Sequence, residues 1–199
     1  MLGKNTLRNA SYAAAVIIVL ALTGIFESFA ERLVMGEQLS LSTVFLIGAL
    51  VGVGYLVAFP LRERDMTTTI VNGVVGALMV GAGITLVVLF SEAMDARFVF
   101  PNMGKLLGSP VTFGQTSLII GILMLLAFSG VSGVLAGILV HLPLRIRDIL
   151  FISLCLTVVM GILQNQINNV ISLTDALSLI VVFAIAYFVT LRFAPDILP

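Results

Sequence analysis

Charge is what this sequence has least of. Only 10% of its 199 residues are Asp, Glu, Lys or Arg, where a soluble domain carries about 25%. So little charge excludes an ordinary water-facing surface. The formal net charge is +0 at pH 7, so no basic excess points to nucleic acid as a partner. A single cysteine, Cys155, excludes an intramolecular disulfide and a cysteine-rich metal site. Set in an apolar run, it reads as a buried, inert thiol. There is no tryptophan and one histidine, His141.

Catalytic signatures are missing too. No second histidine accompanies His141, and no G-x-S-x-G elbow, H-E-x-x-H zinc motif or Walker A loop occurs. No carboxylate cluster in the inward connectors suits phosphate with Mg²⁺, and those connectors are too short for a nucleotide domain. The chain reads as a non-enzyme without a cofactor. An intramembrane enzyme would have only His141 or Glu27 to work with.

What the sequence does have is long apolar runs. Hydrophobic residues make up 60% of it, and the mean hydropathy is +1.20. Charge-free stretches cover 9–26, 38–61, 66–91, 106–144, 149–174 and 176–191. A spanning helix needs roughly 20 apolar residues to cross a bilayer core about 30 Å thick. Only helices and closed barrels satisfy their backbone in lipid, and barrel strands alternate with period two. Runs such as Ile119–Leu126 do not alternate. The expected fold class is therefore all-α: a polytopic helical membrane protein of about six transmembrane helices, forming one domain over 1–199. The spans fall at about 11–30, 41–60, 68–91, 116–141, 148–168 and 175–191. Gly108-Ser109-Pro110 and Gly114 break the first third of 106–144, so that stretch holds one span starting near Thr116. The first span also has the look of a signal peptide, with Ser28-Phe29-Ala30 as a cleavage site; its long charge-free stretch favours an uncleaved span.

Basic residues orient the bundle. With the N-terminus inside, Lys4, Arg8, Arg62, Arg64, Arg145, Arg147 and Arg192 are cytoplasmic, while Arg32, Arg97 and Lys105 are outside. This bias follows the positive-inside rule and puts both termini in the cytoplasm.

Two inward connectors share a word. Residues 60–65 read Pro-Leu-Arg-Glu-Arg-Asp, and 143–148 read Pro-Leu-Arg-Ile-Arg-Asp. In each, Pro ends a helix, the arginines anchor at the interface, and Asp opens the next helix, where the dipole favours an anion. The word fits an internal duplication of spans 2–3 and 4–5, as in many transporters. It fits equally the convergent chemistry of short inside connectors.

Helix contacts and polar groups supply the candidate site residues. Gly48-x-x-x-Gly52 and Gly133-x-x-x-Gly137 are small-residue patterns suited to close helix packing. The densest uncharged polar cluster, Gln164-Asn165-Gln166 with Asn168-Asn169, ends span 5. Gln164 and Asn168 share a face there, and with Asn165 they suit either a polar solute or a neighbouring helix. Glu27, one turn from Glu31, is the deepest carboxylate; it reads as a headgroup-level residue paired with Arg32, or as an ion site. Asn72 reads as an interhelical hydrogen bond, and His141 as an interface residue. The outer connector 92–115 mixes basic and apolar residues and suits an interfacial segment.

Three stretches share a texture: Gly24-Ile25-Phe26-Glu27-Ser28-Phe29-Ala30-Glu31-Arg32 with Leu39-Ser40-Leu41-Ser42, then Gly52-Val53-Gly54-Tyr55-Leu56-Val57-Ala58, and Gly161-Ile162-Leu163-Gln164-Asn165-Gln166. Together they resemble the extra N-terminal membrane region of some bacterial permeases of branched-chain amino acid ABC importers. The resemblance implies the bacterial cytoplasmic membrane, a nucleotide-binding subunit as partner, and other membrane subunits. It carries over no functional residue. The E-A-A…G…I-x-L-P coupling loop of such permeases is missing: Glu92-Ala93-Met94 falls on the outer side and lacks the rest. The translocation core is missing as well, so the resemblance implies an accessory region or part of a longer permease. The alternative is a non-catalytic scaffold subunit of a larger membrane complex, which the scarcity of intramembrane functional groups suits.

Overall fold

A computed structural model of the chain describes residues 4–24, 26, 29–30, 33–35, 39–94, 106–167 and 175–193. Six long helices dominate it: α1 Lys4–Leu22, α2 Leu41–Ala58, α3 Met66–Ala93, α4 Leu118–His141, α5 Leu144–Ile167 and α6 Asp175–Phe193. A short antiparallel ribbon, β1 Leu33–Met35 and β2 Leu39–Ser40, precedes α2, with Leu33 opposite Ser40. The chain is a helical protein, and among the described residues three helices are long and apolar enough to cross a membrane: Leu41–Leu61, Met66–Ala93 and Leu118–His141. Leu7–Leu22 and Ile180–Val189 are shorter apolar helices. Large apolar side chains stand exposed along the three long helices, Leu56, Leu86, Ile119 and Leu123 among them. Helices apolar on every side need lipid on the side no neighbour covers.

The first helix differs most from expectation. It runs Lys4–Leu22 instead of about 11–30. Its end is local chemistry. The Thr23 hydroxyl donates to the Leu20 carbonyl at 2.7 Å. Gly24, at φ +76°, donates its N–H to Ala21 O. A left-handed glycine closes a helix because other residues pay a steric penalty there.

The chain packs as two compact units. Residues 1–31 and 42–141 form the first, and 32–41 with 142–199 the second. In the first, α3 is central and packs on both α1 and α4. It can do so because both its sides are lined by small residues: Gly73, Gly76, Ala77, Gly81 and Gly83 are all buried. α1 offers Ala10, Ala14 and Ala21, buried at one-face spacing, and places Ile18 where a Cβ at Gly83 would lie, 2.6 Å from its Cδ1. α2 buries Leu46, Leu50, Val53 and Val57, again one helical face, and Val57 meets Gly76.

Residues 106–115 form a folded cap before α4. The 3₁₀ turn Pro110–Thr112 is opened by Ser109, whose Oγ accepts from Val111 N at 3.2 Å and donates to Leu106 O at 2.7 Å. The Thr112 Oγ1 accepts from Gly108 N at 3.1 Å. Gly108 and Gly114 take positive φ, and so does Phe113, at 52°. That conformation costs a side-chain-bearing residue about 1–2 kcal/mol. Stacking of the Phe113 ring on Phe128, with centroids 4.3 Å apart, holds it. With its polar groups bonded internally and Leu106 and Val111 buried, this stretch is a packed loop. Residues 95–105, the rest of the expected interfacial segment, lie outside the described residues.

In the second unit α5 packs on α6, and both touch β1. α5 buries Ile149 and Ser153 one turn apart. Cys155 lies on the opposite side and is exposed, contrary to the buried thiol expected. An apolar run gives no sign of which side of a helix finds a protein neighbour and which finds lipid.

The two connectors with a shared word fold differently. In the first, α2 tightens into a 3₁₀ turn at Phe59–Leu61 that contains Pro60, and Asp65 is the N-cap of α3. The Arg62 guanidinium lies 5.0 Å over the Phe59 ring. In the second, α4 stops at His141 and α5 begins at Leu144, directly after Pro143. Asp148 is therefore inside α5, with only an ion pair to Arg147 at 3.7 Å. The expectation that both aspartates open a helix holds for Asp65 and fails for Asp148, because the second helix starts four residues earlier, at Leu144 beside Pro143, whose fixed φ is pre-organised for a helix start.

Candidate functional site

At the start of α3 and the end of α4, polar side chains connect two long helices. Asp65 takes an extended backbone (φ −60°, ψ 150°) and caps α3. Its carboxylate accepts the Thr68 N–H at 3.1 Å and the Thr68 hydroxyl at 2.7 Å. These two bonds favour the ionised form and hold the Asp65 carboxyl below its ordinary range. One turn on, Asn72 donates from Nδ2 to the Thr68 carbonyl at 2.7 Å. Next to Thr68, Thr69 is fully buried. Its hydroxyl donates to Met66 O at 2.8 Å, and His141 Nε2 lies 2.7 Å from the same oxygen.

A hydroxyl has one hydrogen. With that hydrogen on Met66 O, the Thr69 oxygen is an acceptor toward His141, so Nε2 carries the proton.

Below the polar link the backbones touch. A Cβ at Gly73 would lie 2.6 Å from Gly133 O, and one at Gly137 would lie 2.5 Å from Ile70 Cα. A Cβ at Gly133 would overlap Val74 Cα and come within 2.7 Å of Gly73 O. Gly54 of α2 joins here, with Ala136 Cβ at 2.9 Å. Farther along, Ser129 donates to Leu125 O at 2.7 Å and fills the space beside Gly81. No protein family, characterised protein or solved structure matches the chain.

The residues singled out in the sequence separate into three groups. Gly133 and Gly137 lie in the seam just described. Gly48 and Gly52 do not: a Cβ at either meets nothing within 4 Å. Gln164 and Asn165 lie on α5, with side chains outside the described residues, and Glu27 and Asn168 also fall outside them. Asn72 departs from expectation, since its amide bonds its own helix rather than a neighbour. Thr69 was not legible as a site residue. It sits in a Thr-Thr-Thr run, 72 residues from its partner His141, and no local pattern pairs the two.

Proposed function

We propose that the chain is a membrane-embedded component of a solute transporter, the permease or accessory membrane region of an ABC importer of the amino acid class. In this reading it lies in the bacterial cytoplasmic membrane as about six helices, N-in and C-in, with a nucleotide-binding subunit and further membrane subunits as partners. The observation that carries it is the rigid core of α2, α3 and α4, three bilayer-length apolar helices locked through glycines. The three sequence stretches that resemble the membrane region of such permeases supply the class. The accessory role suits the site, because the α3–α4 seam is backbone against backbone and leaves no solute passage there.

That same closed seam favours a second reading, a non-catalytic scaffold subunit of another membrane complex. One experiment separates the two. The chain is purified with its native partners from membranes in a mild detergent, and the complex is assigned by mass spectrometry and ATPase assay. A nucleotide-binding subunit and a solute-binding protein, with ATP hydrolysis stimulated by amino acid, is the expected result. A stable complex lacking any ATPase subunit supports the scaffold, and a chain that purifies alone defeats both.

A further inference from the structure

Beside the α3–α4 seam one buried polar atom has no partner. Asn72 is 2% exposed, and its Oδ1 accepts no hydrogen bond. The amide cannot be turned round to relieve this. Nδ2 faces the Thr68 carbonyl at 2.7 Å, and an oxygen placed there would oppose another oxygen. Oδ1 is thus a fixed acceptor in need of a donor. Leaving such an atom unpaired costs about 1–3 kcal/mol. Beside it, Gly73 meets the backbone of α4 and Gly76 meets Val57 of α2.

One turn earlier on α3, Thr69 has acceptor capacity to spare. Its oxygen has two lone pairs, and His141 uses one of them. Side chains three residues apart on a helix have Cβ atoms about 5–6 Å apart, a gap that one water molecule bridges. We propose that a buried water binds here, donating one hydrogen bond to Asn72 Oδ1 and one to Thr69 Oγ1. Two donated bonds place it in the range of about 2–4 that internal waters make. The exposed His141 ring, Thr69, the water and Asn72 then form one hydrogen-bonded chain leading into the bundle. This holds whatever solute or complex the protein serves.

Water-edited solid-state NMR on the labelled full chain in bilayers tests it. Polarisation passes from water to nearby protein protons, and its build-up at the Asn72 side-chain amide is compared with that at Ala77 and Val80. Those two are fully buried farther along α3. Several-fold faster build-up at Asn72 is expected, with Asn72→Leu used to assign the signal. Build-up as slow as at Ala77 and Val80 overturns the proposal, and this comparison needs no variant to fold. Thr69→Val, which removes the second acceptor, should slow the transfer, and Thr69→Ser should preserve it. A Thr69→Val protein with unchanged transfer would show that the water does not bridge, and would sink the proposal as stated.

Discussion

At the scale of single residues, glycine decides the packing, and its effect depends on what stands opposite. Gly133 and Gly137 face backbone atoms, which cannot move aside. Gly133→Ala and Gly137→Ala should each cost about 1–3 kcal/mol, as overpacking does, measured as loss of unfolding free energy in detergent. Gly48→Ala and Gly52→Ala should be neutral or stabilising by up to about 1 kcal/mol, because alanine favours the helix and no atom lies in the way. Equal losses at all four positions would refute this. The sequence shows both GxxxG patterns alike. It cannot show which one has a neighbour, because that depends on the rotation of each helix. A second residue-scale effect is acidic. The Thr68 bonds lower the Asp65 pKa in the folded chain below its ordinary 3.8. The stabilisation is complete above that value and disappears as pH falls through the lower, folded value. Between about pH 5 and about pH 3, the thermal midpoint of the wild type should therefore fall more steeply than that of Asp65→Asn. Parallel curves would show that the cap bonds do not favour the charged form.

At the scale of elements, the helices were legible and their links were not. The apolar runs place α2 through α6 within a few residues, and three helices have the length and apolar character to cross a membrane among the described residues. The end of α1 is missed because a hydroxyl and one left-handed glycine, Thr23 and Gly24, outweigh the apolar run that continues past them. The shared Pro-Leu-Arg-x-Arg-Asp word teaches the same lesson, as its two copies differ in whether proline sits inside a 3₁₀ turn or just before a helix. Asp65→Ala should accordingly lower stability. Asp148→Ala removes an ion pair of a kind that contributes about 0–1 kcal/mol, and should barely register. The Thr69–His141 link joins side chains of α3 and α4. A double-mutant cycle of Thr69→Val and His141→Phe should return a coupling of about 0.6–2 kcal/mol, the range for polar contacts between membrane helices. A coupling near zero would show that this contact does not tie the two helices together.

At the scale of the whole molecule, orientation is the property most open to test. In a Cys155→Ala background, a cysteine at Glu63 should react with a membrane-impermeant maleimide only from the cytoplasmic face, and one at Thr116 only from the other. Both positions are exposed. Reaction of both from the same face would break the alternation on which the N-in, C-in bundle depends. The glycine seam has one more consequence, which belongs to genetics. Any single-nucleotide missense change in a glycine codon introduces a Cβ. At Gly73, Gly133 and Gly137 that atom would fall 2.7 Å or closer to the facing helix's backbone. A saturating mutational scan should therefore show these three positions without a neutral neighbour in sequence space, while Gly48 and Gly52, spaced like any other GxxxG pair, drift freely.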